Sequence, residues 1–356
     1  MSIFAPLMTK KFFYIAVLFL VLLTSCRSKR SLIAPLLPQA VVVDTLSLAD
    51  TIGLPSSLTG MLVFDQSNLR TLRPRRPVSR KPHTPAIKPP MVQGGTRILV
   101  SVRELSSAYS GIDRVKQYDF THRDVPEAFD GCRLAFISDL HYKSLFQEKE
   151  LKHLVQLLQE LQPDALLIGG DMHEGCQYVA PLMEALEQVK TPLGSYAALG
   201  NNDYESCYED VVCEMTRRRI QVLEHKVATL RRKGSRILVA GVRNPFDLAQ
   251  NGQSPTLKLS AADFVILLVH TPDYAEDVSI ANTDLVLAGH THGGQVTLFG
   301  YAPIVPSRYG QRFLTGLKYN SAHIPMIVTN GIGTSQKPIR LGAPAEVVMI
   351  TLHRLR

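Results

Sequence analysis

Five short clusters of Asp, Asn and His residues carry side chains that could bind metal ions. In chain order they are Asp139-Leu140-His141, Gly170-Asp171, Gly200-Asn201-Asn202-Asp203, His270 and Gly289-His290-Thr291-His292. Carboxylate oxygen, carboxamide oxygen and neutral imidazole form a mixed ligand set without thiolate, which suits Mn, Fe or Zn better than a structural cysteine-zinc site does. Each cluster alone is a common turn or surface sequence. Together and in this order, they predict a site for divalent metal ions.

Each cluster directly follows a short apolar run with the composition of a buried β-strand. The runs lie at 134–137, 165–168, 196–199, 265–269 and 285–288, and further candidates lie at 237–242 and 347–352. Glu148 to Leu161 has apolar residues at helical spacing, and Pro163 ends this helix. Strand ends in α/β sheets lie along one edge, where ligands bind. We therefore expect the clusters to converge at one edge of a layered α/β domain that spans residues 96–356.

The order of these motifs resembles the calcineurin-like metallophosphoesterase superfamily, whose motifs run Asp-x-His, Gly-Asp, Gly-Asn-His-Asp/Glu, His and Gly-His-x-His. The resemblance begins near Gly111 and includes Gly293-Gly294-Gln295 and the stretch from Asn330 to Ser335. It implies a four-layer α-β-β-α sandwich with the metal site at the strand ends. It also implies a metal-dependent hydrolase of phosphodiester or pyrophosphate bonds.

The same resemblance implies two divalent metal ions, Mn, Fe or Zn, at the site. It assigns their ligands in two groups that share one carboxylate: Asp139, His141 and His292 for one ion, Asn201, His270 and His290 for the other, and Asp171 for both. Two ions so placed can activate a bridging hydroxide as the nucleophile and neutralise the charge on the phosphoryl group. No side-chain nucleophile is then required.

One position departs from the pattern of the superfamily. Asn202 stands where the superfamily usually has a histidine, which is thought to help protonate the leaving group or hold the phosphate. An asparagine donates a hydrogen bond but does not transfer a proton at neutral pH. Either the leaving group departs readily without protonation, or another residue supplies the proton. His173, close to Asp171 in sequence, is the candidate for that role, and a loop histidine without a catalytic role is the alternative.

The first 26 residues have the composition of a lipoprotein signal segment. Lys10 and Lys11 precede an uninterrupted apolar run at 12–23, which is too short to span a bilayer comfortably. The sequence Leu23-Thr24-Ser25-Cys26 resembles a bacterial lipobox, so we expect a lipid anchor on Cys26. An uncleaved membrane anchor with an incidental cysteine is the alternative. Both place the catalytic domain outside the cytoplasm, and a periplasmic lipoprotein is the location we expect.

Residues 27–95 have the composition of a largely disordered tether. From Arg70 to Pro90 there are seven Lys/Arg, six Pro and no acidic residue. Residues 1–90 hold 12 Lys/Arg and three Asp/Glu, a net charge of +9, and the whole chain carries +8, so the other 266 residues carry −1. The basic pI therefore gives no reason to expect specific nucleic-acid binding. The tether is either a solvated linker or a contact to anionic headgroups or cell-wall polymers.

Two stretches before the first strand, Arg114-Val115 and 126–131, and those after the last metal cluster, 293–295, 330–335 and 338–344, look like the membrane-associated bacterial branch of the superfamily. That branch includes enzymes that act on UDP-2,3-diacylglucosamine in lipid A synthesis, a cytoplasmic substrate that an exported lipoprotein would not meet. We therefore expect a phosphate-ester or pyrophosphate substrate, soluble or linked to lipid or the cell envelope. A UDP-2,3-diacylglucosamine-type pyrophosphatase and a catalytically weak scaffold are the alternatives, and the complete ligand set argues against the scaffold.

Four cysteines follow the signal segment: Cys132, Cys176, Cys207 and Cys213. In an oxidising compartment they could form two disulfides, with three possible pairings. Cys176 and Cys207 both follow loops that carry metal motifs, so we expect these two to pair and brace the site. Isolated buried thiols are the alternative.

The proposed anchor gives a first testable prediction. Because the lipid would be attached to the Cys26 thiol, Cys26→Ala should abolish both lipid labelling and cleavage by signal peptidase II. Labelled fatty acid incorporated during expression in a bacterium with that pathway measures the outcome. A wild-type chain that takes up no label would favour the uncleaved anchor.

Overall fold

A computed structural model describes residues 98–243 and 253–356. The predicted signal segment at 1–26, the anchor on Cys26 and the tether at 27–95 lie outside the described residues. Within the described part, no helix is both long enough and apolar enough to cross a membrane.

Two β-sheets form the centre of the domain. The strands of the larger sheet are β1 Leu99–Ser106, β2 Arg114–His122, β3 Cys132–Ile137, β4 Ala165–Ile168, β5 Ser195–Ala197, β6 Ile220–Val222 and β13 Glu346–Arg354. The strands of the smaller sheet are β7 Lys226–Arg232, β8 Ser235–Gly241, β9 Val265–Leu268, β10 Leu285–Ala288, β11 Gly316–Tyr319 and β12 Pro325–Val328. The strand orders are β1-β2-β13-β3-β4-β5-β6 and β11-β12-β10-β9-β8-β7.

The middle of each sheet is parallel. β3, β4, β5 and β6 run in one direction, and so do β8, β9, β10 and β12 of the other sheet. The central strands are short and buried along their whole length, as expected for parallel strands that are covered on both faces. Parallel strands end at the same edge, so the loops after them are brought together.

The sheets pack face to face, and their inner faces share one apolar core that includes Phe136, Leu167, Ile266 and Leu287. The helices are α1 Glu148–Leu161, α2 Val179–Leu186, α3 Asn201–Glu205, α4 Tyr208–Arg217 and α5 Tyr274–Asp277. Buried residues of α1, α2 and α4 cover the outer face of the larger sheet. A thinner layer, with α5 and a 3-10 turn at Gly310–Phe313, covers the smaller one. The expected α/β sandwich with two sheets is thus confirmed.

The predicted elements agree closely with those observed, with small shifts at their ends. The helix at 148–161 and the strands at 165–168 and 285–288 have the predicted bounds. The run at 196–199 is a strand only as far as Ala197, because Ala198 and Leu199, although buried, already belong to the loop that enters the site. The apolar residues Ala198 and Leu199 therefore indicate burial and not the extent of the strand.

Candidate metal centre

The loops after β3, β4, β9 and β10 bring six buried side chains together in two groups. Within each group the ligand atoms lie within 4.8 Å of one another; the groups are Asp139, His141 and His292, and Asp171, His270 and His290. All six residues are at most 8% exposed. The structure therefore brings together these residues of the predicted set from positions that are up to 153 residues apart.

Asp171 lies between the two groups. Its Oδ2 atom is 3.5 Å from Nε2 of His141, in one group, and 3.3 Å from Nε2 of His270, in the other. Nδ1 of His290 is in turn 3.1 Å from Nε2 of His270. In the first group, Nε2 of His292 is 3.4 Å from Oδ1 of Asp139. One oxygen of Asp171 therefore faces a histidine of each group.

Oδ1 of the predicted ligand Asn201 is buried and has no hydrogen-bond partner among the described residues, and Nε2 of His141 has only its 3.5 Å contact with Asp171. Leaving a buried polar atom unpaired costs about 1–3 kcal/mol, so such atoms are rare unless they have a use. An imidazole nitrogen and a carboxamide oxygen are ordinary ligands for a divalent cation of the Mn, Fe or Zn type. The residues present therefore fit bound metal ions.

Backbone strain is concentrated at the predicted ligands. The φ angles are positive at five of them: Asp139 (52°), His141 (40°), Asp171 (54°), His290 (68°) and His292 (52°). Residues other than glycine in this region cost about 1–3 kcal/mol each and cluster at functional sites. Each strand has to turn sharply at its end to direct the side chain along the sheet edge, and these angles are the result.

Two glycines allow the loops after β4 and β5 to touch. Gly170 has a φ of 92°, and a Cβ atom there would lie 2.2 Å from the backbone nitrogen of Gly200. A Cβ atom at Gly200 would lie 2.1 Å from Oδ1 of Asp171 and 2.7 Å from Cε1 of His270. Any larger residue at either position would push these two loops apart.

Backbone N–H groups hold the carboxylates in place. Both oxygens of Asp139 accept from the N–H of His290 at 3.0 Å, and Oδ1 of Asp171 accepts from the N–H of Asn202 at 2.9 Å. Asp203 is fully buried and accepts from the N–H groups of Asp171, Met172 and Gly200 at 2.8–3.0 Å. Asp203 thus fixes the turn that carries Asp171, a role that its place in the motif did not reveal.

The charges at the site shift the pKa values of the carboxylates in different directions. Burial raises the pKa of Asp139 despite the opposing effect of His270. Burial and the charge of Asp171 raise the pKa of Asp203. Burial would also raise the pKa of Asp171, but the neighbouring His270 and His141 hold it well below its usual range. Asp171 is therefore the carboxylate most firmly kept ionised.

The four histidines divide into two whose pKa is raised and two whose pKa is lowered. Burial opposes the charged forms of His141 and His270, yet Asp171 beside both, with Glu174 beside His141, raises their pKa values to about 10 and about 9. Burial lowers the pKa of His290 to about 3 and that of His292 well below its usual range. Histidine binds metals as the neutral imidazole, so ion binding at this centre releases protons.

Contacts behind the ligands orient two of the imidazole rings. Oε1 of Glu174 is 2.5 Å from Nδ1 of His141, and Nδ1 of His270 donates to the carbonyl of Gly169 at 2.7 Å. Such contacts fix the tautomer that presents Nε2 to a metal. Nothing in the sequence identified Glu174, because its link to His141 depends on how two loops pack.

Arg340 joins the loops at the back of the site. Its guanidinium donates to the carbonyls of His292, Asn330, Gly333 and Ala343 at 2.7–3.2 Å. Burial lowers the pKa of this guanidinium to about 10. The loop after β12 is thereby held against the loop that carries His290 and His292, although the sequence assigned Arg340 no role.

The two residues expected to bear on proton transfer have different surroundings. Asn202 is half-buried; its Nδ2 is 3.3 Å from Nδ1 of His141, and its Oδ1 accepts from Nδ2 of Asn201 at 3.0 Å. His173 is buried, accepts at Nδ1 from the N–H of Gly175 at 3.1 Å, and has Nε2 3.8 Å from Oδ1 of Asp203. Neither Asn202 nor His173 lines the cavity beside the ligands. A catalytic role for either residue stays a prediction.

A cavity of about 350 Å³ opens beside the ligands. Asp171, Asn201, His290 and His292 give it one polar side. The other side of the cavity is partly apolar. Its apolar residues are Pro303, Ile304, Pro306 and Ile339, and the polar residues Gln295, Ser335 and Lys337 also line it. A ligand with a phosphate at the polar side would therefore contact apolar side chains with its remaining part.

A disulfide joins Cys176 and Cys207, with Cα atoms 5.2 Å apart, which confirms the expected pairing. It links the loop that follows Asp171 to the residue just before α4, so it connects the segments after two metal motifs. Cys132 is a buried free thiol and Cys213 an exposed one. The four cysteines therefore form one disulfide and not two.

This chain is similar to several known proteins. The model of the calcineurin-like phosphoesterase family matches residues 132–294, the part from β3 through the His290 loop. YkuE, named an uncharacterized metallophosphoesterase of Bacillus subtilis, is 31% identical over 64% of this chain and 81% of its own. An uncharacterized metallophosphoesterase of Aquifex aeolicus is 27% identical over 70% of this chain and 96% of its own. The solved structure of the calcineurin-like phosphoesterase YfkN from Bacillus subtilis aligns with 16% identity and a TM-score of 0.34, covering 56% of this chain and 81% of that one.

This chain therefore belongs to the calcineurin-like phosphoesterase family. Members of this family are metal-dependent phosphoric ester hydrolases, and the chain is an enzyme of that class.

The contact between Glu174 and His141 gives a prediction about metal affinity. Glu174→Gln keeps the size of the side chain but removes the charge behind the imidazole, so affinity for Mn²⁺ should fall about 10- to 100-fold. Competition with a chelating dye measures this affinity without reference to turnover. Glu184→Gln, at an exposed position of α2, is the matched control and should bind as the wild type does. Equal affinities in all three proteins would show that Glu174 does not support the ligand.

Proposed function

We propose that this chain uses two divalent metal ions, Mn, Fe or Zn, to hydrolyse phosphodiester or pyrophosphate bonds. The observation that carries this proposal is the position of Asp171, whose Oδ2 lies 3.3–3.5 Å from one histidine of each ligand group. A carboxylate placed between two ligand sets is the arrangement that two neighbouring ions need. When bound, such ions supply an activated water and neutralise the charge that develops on a phosphoryl group.

The protein's part in the reaction is to hold the ligands and the substrate. The N–H of Asn202 fixes Oδ1 of Asp171 and leaves Oδ2 to face both groups. Asp203 holds the backbone of the same turn, so the bridging carboxylate needs little movement to bind. Fixed donors and acceptors of this kind lower the barrier because they do not have to reorganise during the reaction.

The opposite side of the cavity is also held in place. Oε1 of Gln295 accepts from the N–H of Ser335 at 2.9 Å, and its Nε2 donates to the carbonyls of Ser335 and Lys337 at 3.0–3.2 Å. These bonds tie the loop at 335–337 to the loop that follows His292. Lys337 is exposed and lines the cavity, where its positive charge favours an anionic substrate.

The surroundings of Asn202 bear on the leaving group. Asn202 lies next to both Asn201 and His141, where it can hydrogen-bond to a phosphoryl oxygen or a leaving oxygen but cannot protonate it. The bound ions would then assist the attack by water, whereas no proton donor at Asn202 would assist the departure of the leaving group. This favours substrates with good leaving groups, such as pyrophosphates and aryl diesters.

We also propose that the enzyme acts outside the cytoplasm. The disulfide between Cys176 and Cys207 supports this location, because disulfides persist mainly in oxidising compartments. The predicted signal segment points to the same location, and the labelling of Cys26 tests it.

Asp171→Asn tests the dinuclear proposal. The change removes the charge that both ions would share, so metal content should fall together with activity, and turnover should be lost. Metal analysis and hydrolysis of bis(p-nitrophenyl) phosphate measure the two effects, and thermal unfolding checks that the variant is folded. Asp210→Asn, the same change at an exposed position of α4, should keep both properties. Full metal content with wild-type turnover in the Asp171 variant would contradict the proposal.

Asn202→His tests the account of the leaving group. The added imidazole should accelerate substrates with poor leaving groups most, by up to about 10² to 10⁴-fold, the range typical of a positioned general acid. The measurement is kcat/KM for both proteins on diesters with graded leaving-group pKa. A wild type that shows no dependence on this pKa while chemistry limits the rate would mean that another acid is at work.

A further inference from the structure

Exposed apolar side chains are concentrated beside the metal centre. Of the eleven large apolar residues that are exposed in the described part of the chain, six lie in two short segments, 298–304 and 339–341. We refer to these six as the apolar rim: Leu298, Phe299, Tyr301, Ile304, Ile339 and Leu341, which are 51–91% exposed. Contiguous apolar surface of this kind marks a site that contacts another molecule or a membrane.

The apolar rim is built on ordered backbone. Leu298 and Tyr301 exchange N–H to carbonyl hydrogen bonds at 2.9 and 3.0 Å, which closes a tight turn around Phe299 and Gly300. The N–H of Thr297 donates to the carbonyl of Leu341 at 2.7 Å, and this bond joins the two segments. The two segments that carry the six residues therefore lie side by side on a hydrogen-bonded backbone.

Phe299 stands at the tip of the turn, in a backbone conformation that does not suit it. Its φ is 51°, followed by 81° at Gly300, and turns with two such residues favour Asn-Gly or Asp-Gly. Its side chain is 91% exposed, the highest value among the large apolar residues of the described ranges. A phenylalanine at this position has an unfavourable backbone conformation and exposes an apolar ring to water. Both features are explained if an apolar surface covers the tip of the turn.

The apolar rim is continuous with the cavity of the metal centre. Ile304 and Ile339 belong to the apolar rim and also line the cavity that Asp171, His290 and His292 border. Whatever covers the apolar rim therefore also faces the cavity mouth. A flat apolar layer that carries phosphate groups fits both features.

The charge of the surrounding chain complements an anionic surface. Residues 285–345 contain five Lys/Arg and no Asp or Glu. Arg308 and Arg312 form ion pairs with Asp277 and Glu276, whereas Lys337 is exposed at the cavity. No carboxylate of this segment would repel anionic headgroups, and Lys337 would attract them.

We propose that the apolar rim inserts into the interfacial layer of an anionic bilayer and that the substrate is a lipid-linked phosphoester or pyrophosphate. Phe299 and its neighbours enter the layer between headgroups and acyl chains, and the cavity mouth then faces the headgroup phosphates. The identity of the substrate rests on the proposed function, whereas insertion does not. The predicted anchor near the N-terminus would keep the domain close to the same surface.

The chain has no tryptophan, so a single introduced residue can report on its surroundings. Phe299→Trp in the full-length chain should show a blue shift of its emission, and quenching by brominated lipid, on phosphatidylglycerol vesicles but much less on phosphatidylcholine vesicles. Leu99→Trp, on β1 with 56% exposure at the native residue, is the matched control and should show neither change. It separates insertion of the apolar rim from membrane binding through the N-terminus.

Two results would overturn insertion. One is a Phe299→Trp emission that stays unshifted although the chain sediments with the vesicles. The other is an emission that is already blue-shifted without vesicles, which would mean that a second copy or another segment covers the apolar rim.

Hydrolysis tests the substrate class separately. Phe299→Ser should retain wild-type kcat/KM on soluble bis(p-nitrophenyl) phosphate but lose at least about tenfold on a phospholipid diester in phosphatidylglycerol vesicles. Equal rates for both proteins on the vesicle substrate would contradict the lipid-linked class. A wild type that hydrolyses neither substrate with Mn²⁺ present would instead contradict the proposed function, and the tryptophan result would still decide insertion.

Discussion

Three carboxylates buried within one cluster impose the constraint on which the rest of the site depends. Asp139, Asp171 and Asp203 are each at most 3% exposed, and burial, together with the charge of Asp171, raises the pKa of both other residues. Buried charges of one sign are costly unless they are paired or coordinate metals. The cluster can exist only because hydrogen bonds and cationic groups from several loops meet there. Metal binding therefore follows from the electrostatics of the fold as well as from the ligand list.

The fold meets this constraint with the parallel strands of its two sheets. The loops after these strands meet at the metal centre. Backbone N–H groups satisfy Asp203 and Asp139, while His141 and His270 compensate Asp171. The arrangement also costs backbone strain, since five predicted ligands have positive φ angles. Such strain persists only where the surrounding structure enforces it. Arg340, the disulfide and the contact between Gly170 and Gly200 provide that enforcement from three directions.

The sequence was most informative where one physical signal dominates. Continuous apolar runs identified the central strands, such as β4 and β10, because strands covered on both faces need such sequences. The edge strands β1 and β7 were missed, because β1 has no buried residue and β7 has only two. β12 begins at a proline that the pattern gave no reason to place in a sheet. Each ligand cluster lies within a few residues of the end of a strand, so its placement needed only the rule that parallel strand ends converge. Glu174 and the apolar rim depend on how loops pack, which periodicity does not encode.

The central claim is that Asp171 is shared by two metal ions, and its most direct test is an anomalous-scattering measurement on crystals grown with Mn²⁺. The account predicts two manganese peaks about 3.5–4 Å apart on either side of Asp171. One should lie within bonding distance of Asp139, His141 and His292, and the other of Asn201, His270 and His290. A single peak, or two peaks that do not share the Asp171 carboxylate, would contradict the account.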